Sequence, residues 1–157
     1  MSRNNAKIRI SPNQRVHVTL IDLSESGYRK NGGAGFAVKN PDFYLDFEAS
    51  PNFAVDLSEL ERHDYSGDEL QRLVNSLTVT RDRLGLTRGI RLIKASGVYR
   101  HLGLGSGTAV AMSCVEALLA LNGFKYSLED LIRHSRRGGT SGVGVNLYLA
   151  GGFVVAH

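Results

Sequence analysis

Several features are scarce or missing in this sequence of 157 residues, which has one cysteine, three prolines and no tryptophan. The single cysteine, Cys114, excludes an internal disulfide, and its apolar neighbours indicate a buried, unreactive thiol in a reducing compartment, so we expect a cytoplasmic protein. There is no run of about 18 apolar residues, and the opening MSRNNAKIRI lacks the apolar stretch of a signal peptide. We therefore expect neither a membrane span nor export.

Blocks of like charge are missing too. Lys and Arg number 19 against 15 Asp and Glu, which gives a net charge of +4. Because this surplus is small and scattered, we do not expect a nucleic-acid partner, whereas a phosphorylated small molecule suits the charge well. The apolar fraction of 42% predicts one compact domain over residues 1–157.

Alternating and apolar segments predict several β-strands. VHVTLID at 16–22 alternates with a period of two, and GIRLIKASGV at 89–98 reads as a second strand. Two apolar runs at 35–40 and 43–49 flank the turn residues NPD, which predicts a hairpin. At the end of the chain, GVGVNLYLAGGFVVAH is predicted to form two strands about its glycine pair.

Three helices are predicted from capping signals and apolar spacing. Ser66 and Glu69 have the pattern of a capping box, and Ser127 with Asp130 marks a second helix start. A long apolar segment between these two helices is typical of a central, buried helix. The predicted helices cover about 66–84, 109–121 and 127–134. This order of elements predicts an α+β fold in which a mixed or antiparallel sheet packs against helices.

The stretch HLGLGSGT at 101–108 places three glycines and two hydroxyl residues directly before the buried helix. Glycines allow the backbone to approach a ligand, and a helix N-terminus offers unpaired N–H groups, so the loop is a candidate phosphate site. The alternative is a glycine-rich turn with a hydroxyl cap and no ligand. Tyr99 and Arg100 either line the pocket or form an ordinary exposed pair. The predicted phosphate-binding residues here are Gly103, Gly105, Ser106, Gly107 and Thr108.

A second glycine-rich cluster, RRGGTSGVG at 136–144, combines two cations with hydroxyl groups. Such a composition can bind a second anion, the alternative being a flexible hinge. Two such loops in one chain favour a ligand with phosphates. The predicted residues are Arg137, Gly138, Gly139, Thr140 and Ser141.

Four motifs in this order resemble one branch of the GHMP superfamily. They are RVHVTLIDL near the start, NGGAG, HLGLGSGT, and RGGTSGVGV with GGFVV at the end. The branch is that of β-ribofuranosylaminobenzene 5'-phosphate synthase. The resemblance implies a GHMP-type N-terminal domain with a ribosomal-protein-like fold. It also implies condensation of phosphoribosyl pyrophosphate with a hydroxy- or aminobenzoate, with loss of CO2 and pyrophosphate, in the synthesis of methanopterin-type cofactors.

One position departs from the kinases of the superfamily. Those kinases carry PSGVD in the second loop, where the aspartate helps to activate the substrate, whereas this chain has TSGVG with Gly144 at that position. Because glycine cannot act as a base, the synthase is favoured over a small-molecule kinase that would bind ATP at the same loop. A non-catalytic binding module is a third alternative.

The resemblance also selects individual residues. Arg15 and His17 are predicted to be catalytic, binding a phosphate or the benzoate carboxylate, with an exposed arginine and a strand-face histidine as the alternatives. His101 is predicted to protonate a leaving group, or else to cap the strand. Asp22 is the candidate Mg²⁺ ligand, the alternative being a turn residue. Glu116 is expected to make a structural hydrogen bond, the alternative being a contact with a metal or a buried cation.

The kinases and the synthases of this superfamily are usually about twice as long as this chain, with a second lobe that closes over the ligands. The chain therefore resembles an N-terminal half whose C-terminal GHMP lobe is absent. We expect the site to be completed either by that lobe or by a second copy in a homodimer.

Overall fold

The computed structural model describes residues 5–22, 31–137 and 142–156, with the side chains at 20–22 and 31 excepted. The strands of this part are β1 Lys7–Ile10, β2 Gln14–Asp22, β3 Asn31–Val38, β4 Tyr44–Ser50, β5 Val55–Asp56, β6 Gly89–Ser96 and β7 Phe153–Ala156. The α-helices are α1 Gly67–Arg83, α2 Ser106–Leu121, α3 Leu128–Ser135 and α4 Val143–Ala150, and a 3-10 helix covers Ser58–His63.

The strands form two sheets. A four-stranded sheet has the order β1-β4-β6-β5, and a three-stranded sheet has the order β2-β3-β7. Every pair is antiparallel except β5 with β6, which run parallel. The mixed and mainly antiparallel sheets with packed helices confirm the predicted α+β class.

The hairpin predicted across residues 35–49 is wrong. The turn itself forms, because the Phe43 N–H donates to the Asn40 carbonyl (3.0 Å) and the Asp42 N–H donates to the Asn40 side chain (3.1 Å). The strands on either side then enter different sheets: β3 pairs with β2 and β7, whereas β4 pairs with β1 and β6. Strand β4 buries alternate side chains, Leu45 and Phe47 among them, in the main core. Local turn chemistry cannot reveal that packing.

The two strands predicted at the end of the chain are half wrong. Residues Val143–Ala150 form helix α4, and only β7 is a strand, antiparallel to β3. The helix is favoured because Tyr148 reaches α2, where its hydroxyl lies 3.0 Å from the Ser113 hydroxyl. An apolar run of this length is compatible with strand or helix, so tertiary contact decides.

The capping signals are confirmed. The Glu69 N–H donates to the Ser66 hydroxyl and the Ser66 N–H donates to the Glu69 carboxylate, and Ser127 with Asp130 repeats the arrangement at α3. Helix α2 begins at Ser106, three residues before its predicted start, because the loop ends at Gly105. Among the described residues, no helix is both long and apolar enough to cross a membrane.

Helix α2 is the centre of the main core. Twelve of its sixteen residues are buried, and it contacts the other three α-helices as well as β1, β4 and β6. Burial raises the pKa of Cys114 to about 12, as expected for an unreactive thiol. A glycine loop at the N-terminus of such a helix is therefore held in place relative to the other helices and to the four-stranded sheet.

Glu116 has the structural role predicted for it. Its carboxylate accepts a hydrogen bond from the Tyr126 hydroxyl (2.8 Å) and another from the Tyr148 hydroxyl (2.5 Å). Burial, with this carboxylate nearby, raises the pKa of both tyrosines, to about 12 for Tyr126. The network joins α2 to α4 and to the segment before α3, and both carboxylate oxygens are used in it.

Candidate functional site

The glycine-rich loop presents free hydrogen-bond donors at the start of α2. Gly105 precedes the helix with a φ of 68°, in the left-handed region that glycine adopts without strain. The first bond of the helix runs from the Ala109 N–H to the Gly105 carbonyl (3.1 Å). The N–H groups of residues 106–108 have no helix carbonyl to donate to, and no other carbonyl in the described part of the chain accepts from them. These groups and the helix dipole favour an anion here.

The side chain of Arg15, on β2, packs directly against this loop. Its backbone N–H donates to the Leu104 carbonyl at 3.0 Å, which fixes the strand beside the loop. A Cβ atom at Gly105 would lie 2.3 Å from Nε of Arg15 and 2.5 Å from its Cγ. Glycine is therefore required at 105 both for its backbone conformation and for the space that Arg15 occupies.

Gly144, in the first turn of α4, packs against the same arginine. A Cβ atom at Gly144 would lie 2.9 Å from Nε of Arg15 and 3.1 Å from its Cδ. Any larger side chain at this position would displace the arginine. In this chain the space beside residue 144 is thus occupied by a cationic side chain.

The charge of Arg15 is only partly compensated by the protein. Its Nε is buried without a hydrogen-bond partner, and no carboxylate of the described residues pairs with it. Burial, with the nearby charge of Arg137, lowers the pKa of Arg15. Its Nη1 lies 2.8 Å from the His17 ring nitrogens, and burial together with Arg15 lowers the pKa of His17, which favours a neutral ring that can accept from the guanidinium. A buried guanidinium with an unpaired donor is suited to bind an anionic ligand.

A cavity of about 580 Å³ opens beside the loop, between α1 and the end of α3. Gly107, in the first turn of α2, is one of its lining residues, so the cavity adjoins the start of that helix. Four arginines line the same space, with Glu69 as the one carboxylate among the lining residues. The arginines are Arg72, Arg100, Arg136 and Arg137.

The residues predicted for the site are only partly brought together. Arg15, His17 and Gly105 are in contact, with Arg137 close enough to influence the pKa of Arg15. His101 is exposed, and its side chain makes no hydrogen bond within the described residues. Several predicted residues lie outside the description, namely the Asp22 side chain and Gly138, Gly139, Thr140 and Ser141.

The described residues do not form a magnesium site of their own. No group of three or more His, Cys, Asp or Glu side chains in them could hold a metal ion. Around the loop they offer the hydroxyls of Ser106 and Thr108, whereas Mg²⁺ in proteins is usually held by one or two carboxylates together with substrate phosphates.

Sequence reasoning missed the wall of the cavity. The capping pattern identifies Glu69 only as a helix cap, and the sequence is compatible with either a pocket or a surface position for Arg100. Its side chain is only 13% exposed, while Tyr99 is 55% exposed. A signal was present, because Glu69, Arg72 and Ser76 follow one another at helical spacing and form a polar stripe on α1.

The fold and this site define a class, an α+β domain with a glycine-rich loop at the N-terminus of a buried helix. The family model of the GHMP kinases N terminal domain matches residues 70–151, more than half of the chain. The chain belongs to this family.

Individual relatives agree with that assignment. A beta-ribofuranosylphenol 5'-phosphate synthase of Archaeoglobus fulgidus is 30% identical over 148 residues, which cover 94% of this chain and 44% of the relative. A protein of the same name from Methanothermobacter thermautotrophicus is 29% identical over 146 residues, covering 93% of this chain and 44% of the relative. The crystal structure of a homoserine kinase from Cytophaga hutchinsonii matches the fold with a TM-score of 0.69 at 22% identity, over 99% of this chain and 49% of the kinase. The chain thus spans less than half the length of these curated relatives.

Proposed function

We propose that this chain is the phosphate-binding part of a synthase that joins phosphoribosyl pyrophosphate to a hydroxybenzoate. The curated relatives are named beta-ribofuranosylphenol 5'-phosphate synthase, and the phenol in that name favours a hydroxybenzoate over an aminobenzoate acceptor. The observation that carries the proposal is the buried, unpaired Nε of Arg15 against Gly105 and Gly144, beside the free amides of α2.

In the proposed reaction, the bond between C1 of the ribose and the diphosphate oxygen breaks, and the diphosphate leaves with the electron pair. The ring carbon that bears the carboxylate attacks C1. As the new carbon–carbon bond forms, CO2 leaves, and the electrons of its bond restore the aromatic ring. The step consumes no proton and needs no nucleophile from the protein.

The protein's part is to bind the negative charge that grows on the leaving diphosphate. The free N–H groups of residues 106–108 and the guanidinium of Arg15 are positioned for this role. Fixed donors of this kind stabilise a transition state because they need not reorganise as the charge develops. His17, with its lowered pKa, keeps the Arg15 guanidinium in place without adding a second charge.

A small-molecule kinase is the second candidate, since the fold matches a homoserine kinase. The two functions differ in ligand. In a calorimetric titration of the full chain with Mg²⁺ present, we expect phosphoribosyl pyrophosphate to bind with a dissociation constant of roughly 1 μM to 1 mM, as for ordinary enzyme substrates. ATP should bind at least tenfold more weakly. Tighter binding of ATP would favour the kinase and contradict the synthase.

Replacing Arg15 with methionine is expected to weaken the binding of phosphoribosyl pyrophosphate about 10- to 100-fold, because a charge-assisted contact is worth about 1.5–3 kcal/mol. The free protein should not become less stable, because methionine fills a similar volume without a buried, unpaired nitrogen. Calorimetry and thermal unfolding measure the two effects. Arg83→Met, an exposed arginine on α1, is the matched control and should change neither. If Arg15→Met and the control bind phosphoribosyl pyrophosphate with equal affinity, Arg15 is not part of the site.

The match to this chain covers 44% of each of these curated relatives. The three-stranded sheet exposes an apolar face that includes Phe36, Phe153 and Val155, with exposed fractions of 42%, 62% and 58%. Phe36 and Phe153 are register partners on β3 and β7, so their side chains lie side by side. We propose that a second lobe covers this face in a cytoplasmic enzyme. Concentration-dependent dimerisation of this chain in sedimentation experiments would favour a second copy instead.

A further inference from the structure

The cavity beside Gly107 carries more positive charge than its own residues neutralise. Among the described residues, Arg72, Arg136 and Arg137 form no ion pair with a carboxylate. The fourth arginine, Arg100, is paired with the carboxylate of Glu69 through two hydrogen bonds of 2.6 and 3.0 Å. Three exposed arginines therefore line one cavity, and no carboxylate of the described residues is paired with them.

Arg100 is a fixed wall of this cavity. Besides Glu69, it donates to the Asp64 carbonyl (2.6 Å), and its guanidinium lies 4.1 Å from the centre of the Tyr65 ring. Glu69 is held in turn by the Ser66 N–H at 2.8 Å, and these partners, Arg100 foremost, hold its pKa at about 2. The pair stays ionised throughout the neutral range, so a ligand meets a rigid surface rather than a free carboxylate.

Tyr65 adds an unused donor to the same wall. The residue is only 8% exposed, and its hydroxyl has no hydrogen-bond partner among the described residues. Arg137 lines the same cavity, and its charge, after burial, contributes to lowering the pKa of Arg15 beside the loop. Gly107 also lines the cavity and belongs to the free first turn of α2.

We propose that this cavity is a second anion subsite, which binds the 5'-phosphate of a phosphoribosyl substrate while the diphosphate lies on the glycine loop. This inference rests on the proposed function. A volume of about 580 Å³ is ample for a ribose phosphate and lies in the range of small-molecule sites. Arg72 and Arg136 would contact the monoester, and the fixed Arg100 would limit how far the sugar can enter. The arginines thereby favour a ligand with phosphates at both ends over one that ends in a neutral base.

Ribose 5-phosphate, inorganic pyrophosphate and phosphoribosyl pyrophosphate are the probes that test this subsite, each titrated into the full chain by calorimetry. In Arg72→Gln and Arg136→Gln, ribose 5-phosphate and phosphoribosyl pyrophosphate should bind about tenfold more weakly. Inorganic pyrophosphate should bind as tightly as in the unmodified chain, because it needs only the loop. Arg83→Gln removes the same charge from the exposed part of α1 and should leave all three affinities unchanged.

The outcomes separate the subsite from the reaction. If ribose 5-phosphate does not bind, or binds equally well to the variants and the control, the subsite is overturned. If the affinities for all three probes fall together, pyrophosphate included, the arginines act through overall charge and the subsite is again overturned. If ATP, titrated into the same variants, binds more weakly while the affinity for ribose 5-phosphate is unchanged, the cavity holds a nucleoside and the subsite is overturned. The proposed function fails independently if phosphoribosyl pyrophosphate binds no more tightly than ribose 5-phosphate does.

Discussion

Replacing Gly105 with valine is expected to weaken phosphoribosyl pyrophosphate binding more than 100-fold while the chain remains folded. The backbone at Gly105 has a φ of 68°, which a β-branched residue adopts only with strain of about 1–3 kcal/mol. The new Cβ would also lie 2.3 Å from Nε of Arg15, so the arginine must leave its place. The substitution thus disturbs both the amide donors and the cation, and a loss of about 2.7 kcal/mol already corresponds to 100-fold in affinity. Calorimetry measures the affinity, and circular dichroism checks the fold.

The matched control is Gly67→Val. Gly67 opens α1, has no left-handed backbone conformation, and would meet no atom within 4 Å if it carried a Cβ. Gly67 lies outside the loop, so the affinity of Gly67→Val for phosphoribosyl pyrophosphate should equal that of the unmodified chain. Unchanged affinity in Gly105→Val, measured on folded protein, would show that the loop is not the phosphate site.

Features encoded by nearby residues could be predicted from the sequence. The capping boxes of α1 and α3, the buried α2 and the glycine loop before it depend on residues within one or two helical turns of each other. Their physical cause is local: a hydroxyl that accepts from an N–H three residues on, or a glycine in the left-handed conformation directly before a helix. Such signals need no knowledge of the rest of the fold.

Features created by distant residues could not be predicted. Arg15 and Gly144 meet although they are far apart in sequence, and Arg100 pairs with Glu69 across a separation of 31 positions. The short strand β1 has four residues and exists because β4 supplies its partners, Leu45 to Glu48. For the same reason the prediction of a strand at Val143–Ala150 is wrong: contacts with distant residues favour a helix there. The loop was therefore visible in the sequence, whereas the arginine cavity that adjoins it was not.

The second large effect is expected from Leu118→Ala, which should lower the free energy of unfolding by about 2–5 kcal/mol. Leu118 lies in the last turn of α2, is fully buried, and belongs to the main core. The substitution removes its apolar contacts and leaves a cavity that close-packed neighbours fill only in part. Urea unfolding followed by circular dichroism measures the change as a lower midpoint with an unchanged slope.

Val79→Ala on α1 is the control, because Val79 is 44% exposed and its truncation should cost much less. Leu118 is three turns from the glycine loop, so the folded fraction of Leu118→Ala should still bind phosphoribosyl pyrophosphate with nearly the affinity of the unmodified chain. Equal stability of the two variants would contradict a close-packed α2. Because the loop has its amides fixed by this helix, a loosely packed α2 would also remove the rigidity on which charge stabilisation at residues 106–108 depends.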